Sequence, residues 1–138
     1  DSQAAADKTI EVIEKHNAQK RVIIGSQYTK VVDYIKSKRP DWHFCASPQQ
    51  VFRLVLMSQM FIETFEPMNA DGYFIPVEQD GIMVANSRLM SEWNRRKIPV
   101  LIWTINDESQ ARELMKNGAN GVITDFPSKM KGVVFNSH

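Results

Sequence analysis

The chain's 138 residues are 43% hydrophobic, enough for one domain with its own core, which excludes disorder of the whole. Seventeen basic residues against sixteen acidic ones leave a formal charge of +1, so no global field recruits nucleic acid or an anionic membrane, and any basic site must be local. The single cysteine, Cys45, excludes an internal disulfide and a zinc site built from several thiolates, and leaves the compartment open.

The first element expected is a helix over roughly the first sixteen residues, where Ala6, Ile10 and Ile13 at i, i+4 and i+7 form one apolar stripe. The chain opens at Asp1 with neither Met nor a basic-then-apolar leader, which reads as a processed product or a fragment. Short β-branched or aromatic runs then recur, each followed by helical spacing. They are Val22-Ile23-Ile24, His43-Phe44-Cys45, Tyr73-Phe74-Ile75, Val100-Leu101-Ile102-Trp103 and Val122-Ile123, and each is read as a strand.

Between them, Lys36, Lys38 and Arg39 before Pro40 mark a helix end, as do Arg95, Arg96 and Lys97 before Pro99, because cations complement the negative helix terminus. These clusters are read as helix ends and not as nucleic-acid patches. Ser47 with Pro48 and Gln50 gives an N-cap, an N1 proline and an N3 amide, and Asp107 with Gln110 repeats the cap logic. Gly118 suits a left-handed C′ position. Residues 51–65 are apolar around most of a helical circumference but too short, and too charged at Arg53 and Glu63, to span a membrane. That segment is expected to be covered within the protein, or to make a contact with another copy or with a membrane surface, with protein contact favoured.

Strand and helix alternating with short connections predict parallel strands with right-handed crossovers, each strand apolar on both faces. The class is α/β. No linker, low-complexity segment or strong repeat divides residues 1–138, although the βα unit recurs about five times, so one domain or part of one is expected.

The stretch "IPVLIWTIND", a helix, and "ANGVITDFP" resembles the C-terminal end of the glycerophosphodiester phosphodiesterases. In that family one strand ends Trp-Thr-Val-Asn and the next ends Asp-Gly-Ile-Ile-Thr-Asp-Tyr/Phe-Pro; here Ile105, Asn120 and Val122 are conservative departures. Upstream, "RVIIGSQ", "WHFCAS" and "ADGYFIPVE" resemble three earlier strands, with Gly25 and Gln27 departing. The resemblance implies parallel (β/α) units matching the C-terminal five-eighths of a TIM (β/α)8 barrel, strands four to eight. It covers this chain but not the barrel. The family's His-Arg-Gly, Glu-x-Asp and Glu-x-Lys motifs have no counterpart here, and the histidines are His16, His43 and His138. The resemblance thus implies metal-dependent hydrolysis of glycerophosphodiesters to glycerol 3-phosphate and an alcohol, with a divalent cation, Mg or Ca, whose carboxylate ligands are absent from this chain.

Barrel enzymes build their sites at the C-terminal ends of strands. By the resemblance, Trp103 lines that mouth; the alternative is a large core side chain. Asn106 lies beside it, or begins the cap of the next helix. Ser26 either faces substrate or serves a strand-to-helix turn. Those are the candidate substrate-binding residues, and no catalytic or metal-binding residue is assigned. Thr124 and Asp125 end the last strand, with Asp125 read as capping the segment before Pro127. Glu78-Gln79-Asp80 is read as a polar turn ending at Gly81 and not as a metal pair. His43 and Cys45 share a strand face but make too few ligands for zinc, so core packing is expected.

Five parallel strands alone leave two edges unpaired and the barrel lining without its opposing layer. The chain is therefore expected to self-associate or to pair with a missing N-terminal segment, through residues 51–65 or the sheet edges, or to re-close as a flavodoxin-like sheet. Two readings follow. In the first it contributes part of a phosphodiesterase site and is inactive alone; in the second it is a catalytically incompetent partial barrel used for association or ligand binding.

Overall fold

The computed structural model describes residues 3–67 and 69–134; His138 lies outside the described residues. The elements in chain order are α1 (Gln3–Lys15), β1 (Ile23–Ile24), α2 (Thr29–Lys38), β2 (His43–Phe44), α3 (Pro48–Gln59), β3 (Tyr73–Pro76), β4 (Glu78–Gln79), β5 (Ile82–Met83), α4 (Ser87–Arg95), β6 (Val100–Trp103), α5 (Glu108–Lys116), β7 (Gly121–Val122) and α6 (Pro127–Val134). The stripe of α1 is buried at Ala6, Ile10 and Ile13. The α3 start is a complete capping box, in which the Ser47 hydroxyl accepts from the Gln50 amide while the Gln50 side chain accepts from the Ser47 amide. Asp107 caps α5 by accepting from the Gln110 N–H at 2.8 Å. That helix ends in a Schellman motif: Gly118 takes φ 104°, its N–H donates to Met115, and the Ala119 N–H donates to Leu114. The basic clusters fall on helix ends, with Lys38 and Arg95 the last residues of α2 and α4.

All five expected strands are present and parallel. β1 pairs with β2, β3 with β6 and β6 with β7, and the bridge Cys45–Gly72 links β2 to the start of β3. The order across the molecule is therefore β1, β2, β3, β6, β7, which is chain order once the inserted β4–β5 pair is set aside. Adjacent strands following one another in sequence with a helix between each is the arrangement of a (β/α) barrel wall.

Burial alternates along β1, β2, β3 and β6. Ile24, Phe44, Tyr73, Ile75, Val100 and Ile102 are buried, while Ile23, Cys45, Phe74, Pro76 and Leu101 between them are half-buried and Trp103 is exposed. The strands are apolar on both faces, as expected, yet only the face under the helices is sealed; the other is left open among the described residues. Two cores result. One gathers Ala6, Ile10, Ile35, Trp42 and Phe44 around α1, α2, β1 and β2, and the larger one centres on Trp93, whose ring sits 5.0 Å from that of Tyr73.

Three expectations are corrected. Glu78-Gln79-Asp80-Gly81 is not merely a turn: β4 and β5 form an antiparallel hairpin, with Asp80 at φ 52° and Gly81 at φ 78° between them. Two successive positive φ values are what a tight hairpin with matching right-handed twist requires. Residues 51–65 are not one helix, because α3 stops at Gln59, Phe61 adopts φ 64°, and Glu63–Phe65 form a 3-10 turn. Leu54, Val55 and Ser58 are buried, but Phe52, Leu56, Met60, Phe61 and Phe65 stay largely exposed among the described residues. Finally, His43 is half-exposed with its Nδ1 3.3 Å from an Asp71 carboxylate oxygen, and so is not packed in a core. It starts a strand at the sheet's margin, where water competes for it.

Candidate functional site

The C-terminal ends of the strands open onto a cavity of about 720 Å³. Ser26, Cys45, Phe74, Pro76, Trp103 and Ile123 line it from the sheet, Phe52 from α3, and Gln79 and Asp80 from the hairpin. These sheet residues belong to the half-buried face, so the cavity is the exposed barrel lining continued to the strand ends. It is mostly apolar, and Asp80 is the one charged group among the described residues that line it.

Trp103 is the fourth residue of β6, opposite Pro76 of β3, and 40% of it is exposed. The strand's alternation puts it on the open face, so it is not a core side chain. Its peptide to Thr104 is cis. Ser26 follows β1, and its hydroxyl accepts the Tyr28 N–H at 3.1 Å. Ser26 therefore serves a local turn, and the same residue lines the cavity. Gly25 beside it has a packing reason, because a Cβ there would run into the Cys45 sulfur. Burial pushes the Cys45 thiol pKa up, opposed by the backbone amides of Cys45 and Ser26. A thiol held protonated is a poor nucleophile.

Asn106 does not line the cavity and does not cap α5, a role taken by Asp107. Its Oδ1 accepts both the Thr124 hydroxyl and the Asp125 N–H at 3.0 Å, while its Nδ2 donates to the Asp125 carboxylate at 2.9 Å. One amide side chain thus ties the end of β6 to the end of β7. Asp125, expected to cap the segment before Pro127, instead receives Asn106; the Thr124 hydroxyl accepts the Phe126 N–H at 3.0 Å and does the capping. Asn120 similarly accepts the Val100 N–H on its side-chain oxygen at 2.8 Å, a task an aspartate could perform equally.

Of the three sequence candidates the structure brings Ser26 and Trp103 into one cavity and leaves Asn106 behind the adjoining strand ends. Sequence reasoning missed the hairpin that overhangs the same cavity. Its signal was the Asp80-Gly81 dipeptide, a common two-residue hairpin turn.

The residues present do not fit a divalent cation. Such an ion wants six or more oxygens, several of them carboxylate. Asp80 and Asp125 each face a side-chain amide, from Gln79 and Asn106, and among the described residues no three of His, Cys, Asp or Glu come close enough to hold a metal.

A family model described as the glycerophosphoryl diester phosphodiesterase family matches residues 2–129. Among curated proteins, lysophospholipase D GDPD1 of Homo sapiens is 20% identical over 150 residues, covering 94% of this chain and 48% of the relative. The Rattus norvegicus protein of the same name is 21% identical, covering 90% and 46%. The chain therefore spans about half the length of the curated relatives it matches. Among solved structures, a candidate glycerophosphodiester phosphodiesterase from Galdieria sulphuraria matches at TM-score 0.68 and 14% identity, over 99% of this chain and 52% of that one. One from Silicibacter pomeroyi matches at TM-score 0.67 and 12% identity, over 95% and 43%. At such identities the structural likeness shows the fold: parallel (β/α) units forming part of a TIM-type barrel.

Proposed function

The chain belongs to the glycerophosphoryl diester phosphodiesterase family, and from that premise we propose that it forms the C-terminal wall of a site that hydrolyses glycerophosphodiesters to a glycerol phosphate and an alcohol. The carrying observation is that Trp103 and Ser26, at the C-terminal ends of non-adjacent strands, line one cavity. In this reading Trp103 packs against the glycerol or alcohol carbons, the Ser26 hydroxyl donates to a substrate oxygen, and Asn106 is a positioning residue that fixes the ends of β6 and β7. The cavity lining is mostly apolar. Its character also suits a glycerophosphodiester bearing one acyl chain, a lysophospholipid, in keeping with the name of the curated relatives.

The described residues offer neither a metal cage nor a general acid, so the proton transfers and the divalent cation of the family chemistry are assigned to a complementing (β/α)3 portion carrying the His-Arg and Glu-x-Asp motifs. When bound there, the cation would neutralise phosphodiester charge. This chain alone is expected to leave glycerophosphocholine intact. Joined to a family N-terminal portion, it should release glycerol phosphate, and chelation should stop it. A verified complete barrel that shows no turnover of glycerophosphodiester or lysophospholipid with any divalent cation would sink the reading. The family's non-enzymatic alternative would then stand, with association or ligand binding as the role.

A further inference from the structure

The outward face of α3 carries Phe52 and Leu56 at i and i+4, its C-cap Met60 continues the row, and the turn after it adds Phe61 and Phe65, which are 72% and 80% exposed. Phe61 occupies a left-handed C′ position, where the Phe61 N–H donates to Ser58 and the Ile62 N–H to Met57. The turn is anchored from beneath. Arg96 donates to the carbonyls of Thr64 and Glu66, Arg88 pairs with the Glu63 carboxylate, and Arg53 with that of Glu66. These rings are thus held outward by a fixed ionic scaffold.

The scaffold is also oriented. The carboxylates of Glu63, Glu66 and Glu92 are turned inward, with side-chain exposures of 7%, 7% and 8%, whereas those of Arg53, Arg88 and Arg95 reach 58%, 43% and 59%. Four arginines, including Arg96, meet these three carboxylates, and Lys97 beside them is exposed. What faces solvent is therefore aromatic and aliphatic surface rimmed by cations, with the Arg88 guanidinium 4.1 Å from the centre of the Phe61 ring. A second copy packed through a two-fold axis would set this arginine rim against itself. An anionic headgroup layer over an apolar interior complements both parts.

We propose that this face, α3 with the turn at residues 60–66, seats the chain on an anionic lipid surface. The rings enter the acyl boundary and the arginines meet the phosphate groups. Phe52 belongs both to the stripe and to the rim of the cavity, so a seated chain keeps the cavity mouth next to lipid. This inference stands on the surface alone and does not require the catalytic reading.

The test is co-flotation of the full chain with vesicles of phosphatidylcholine containing roughly one-third phosphatidylserine, against pure phosphatidylcholine, at low and high salt. Binding should be about tenfold tighter to the anionic vesicles and weaken with salt. The Phe61→Asn/Phe65→Ser variant should lose about tenfold in vesicle binding while melting as the parent does, since both rings are exposed and Asn tolerates the left-handed backbone. No binding, equal binding to neutral vesicles, or binding unaltered by the variant would overturn the proposal. So would a lipid-free dimer that the same variant dissolves, which would assign the face to a second copy.

Discussion

The Asn106 side chain donates to the Asp125 carboxylate at 2.9 Å and, through its own oxygen, accepts the Asp125 backbone N–H, so the two strand-end loops of β6 and β7 are joined by a reciprocal pair. Asn106→Asp keeps the acceptor but replaces the donor with a second carboxylate. Two carboxylates at this distance cannot both ionise freely, so the pair's folded pKa rises above the ordinary value. A raised pKa means stability is favoured below the unfolded pKa and lost as pH rises through the folded one. The variant should lose about 1–2 kcal/mol at neutral pH and recover below about pH 4, in urea unfolding curves. Asn106→Ala should lose about 1 kcal/mol at every pH. If the two variants share one pH profile, the pair is not coupled as described.

Glu92 gives the opposite sign. Its carboxyl is lowered to about 2, first by hydrogen bonding to Arg95, with burial opposing and Arg96 assisting. Its stabilisation is therefore fully present above the ordinary value of 4.5 and is lost as pH falls from there toward about 2. Glu92→Gln should be less stable than the parent by on the order of 2 kcal/mol at pH 7. The gap should close across that acid window in parallel denaturant titrations. A gap that stays constant with pH would show that the effect is packing and not charge.

How much of this was legible follows from locality. The five strands, the Ser47 and Asp107 caps and the Gly118 stop are written in a few adjacent residues, so sequence alone recovered them. The partners of Asn106 and the inward turn of Glu63 and Glu66 are not local: they depend on groups 13 to 33 positions away, such as Arg53, Arg88 and Arg96. Residues 51–65 misled because an apolar circumference fits a helix, while the break at Phe61 needs a bulky residue at positive φ that no propensity favours. That Trp103 and Ser26 reach one cavity was legible because both stand at C-terminal strand ends, which in this architecture open onto a common mouth.

Gly118 is a position where glycine is required twice over. Its φ is 104°, and a Cβ would run into the Asn94 side-chain amide, which donates to the Gly118 carbonyl at 2.9 Å. Gly118→Ala should cost about 1–3 kcal/mol, visible as a lower denaturation midpoint without a changed slope. Gly81, with φ 78° and open space around it, should tolerate alanine better, since only the backbone term applies. Equal losses at the two glycines would mean that the Asn94 contact contributes nothing.

Trp103→Ala separates the site from the fold. The ring is 40% exposed, so its removal should cost about 2 kcal/mol of stability, less than a fully buried ring would. In a completed barrel the same change should raise KM for a glycerophosphodiester about tenfold or more if the proposed contact of the ring with substrate carbons is made. A variant that melts early and keeps its KM would return Trp103 to a packing role.

Cys45 reports whether the open lining is ever closed. Its sulfur lines the cavity, and burial raises its pKa above the usual 9.0, so its alkylation rate by iodoacetamide should rise more than about twofold above pH 9.0, where an unperturbed thiol, already half ionised, has only a twofold gain left. The half-buried neighbours Phe74 and Ile23 leave it reachable on the sheet's uncovered face. Pairing with a complementary (β/α)3 portion would lay a second wall over that face and slow alkylation by at least about tenfold at constant pH. Seating on lipid through α3 and the turn at residues 60–66 covers the outer face and meets the cavity only at Phe52, so vesicles should slow the rate far less than a second wall does. Comparing the two additions at one pH therefore tells closure of the lining apart from docking of the outer face. If the complementary portion binds without protecting Cys45, the half-buried strand face is not the inside of a barrel.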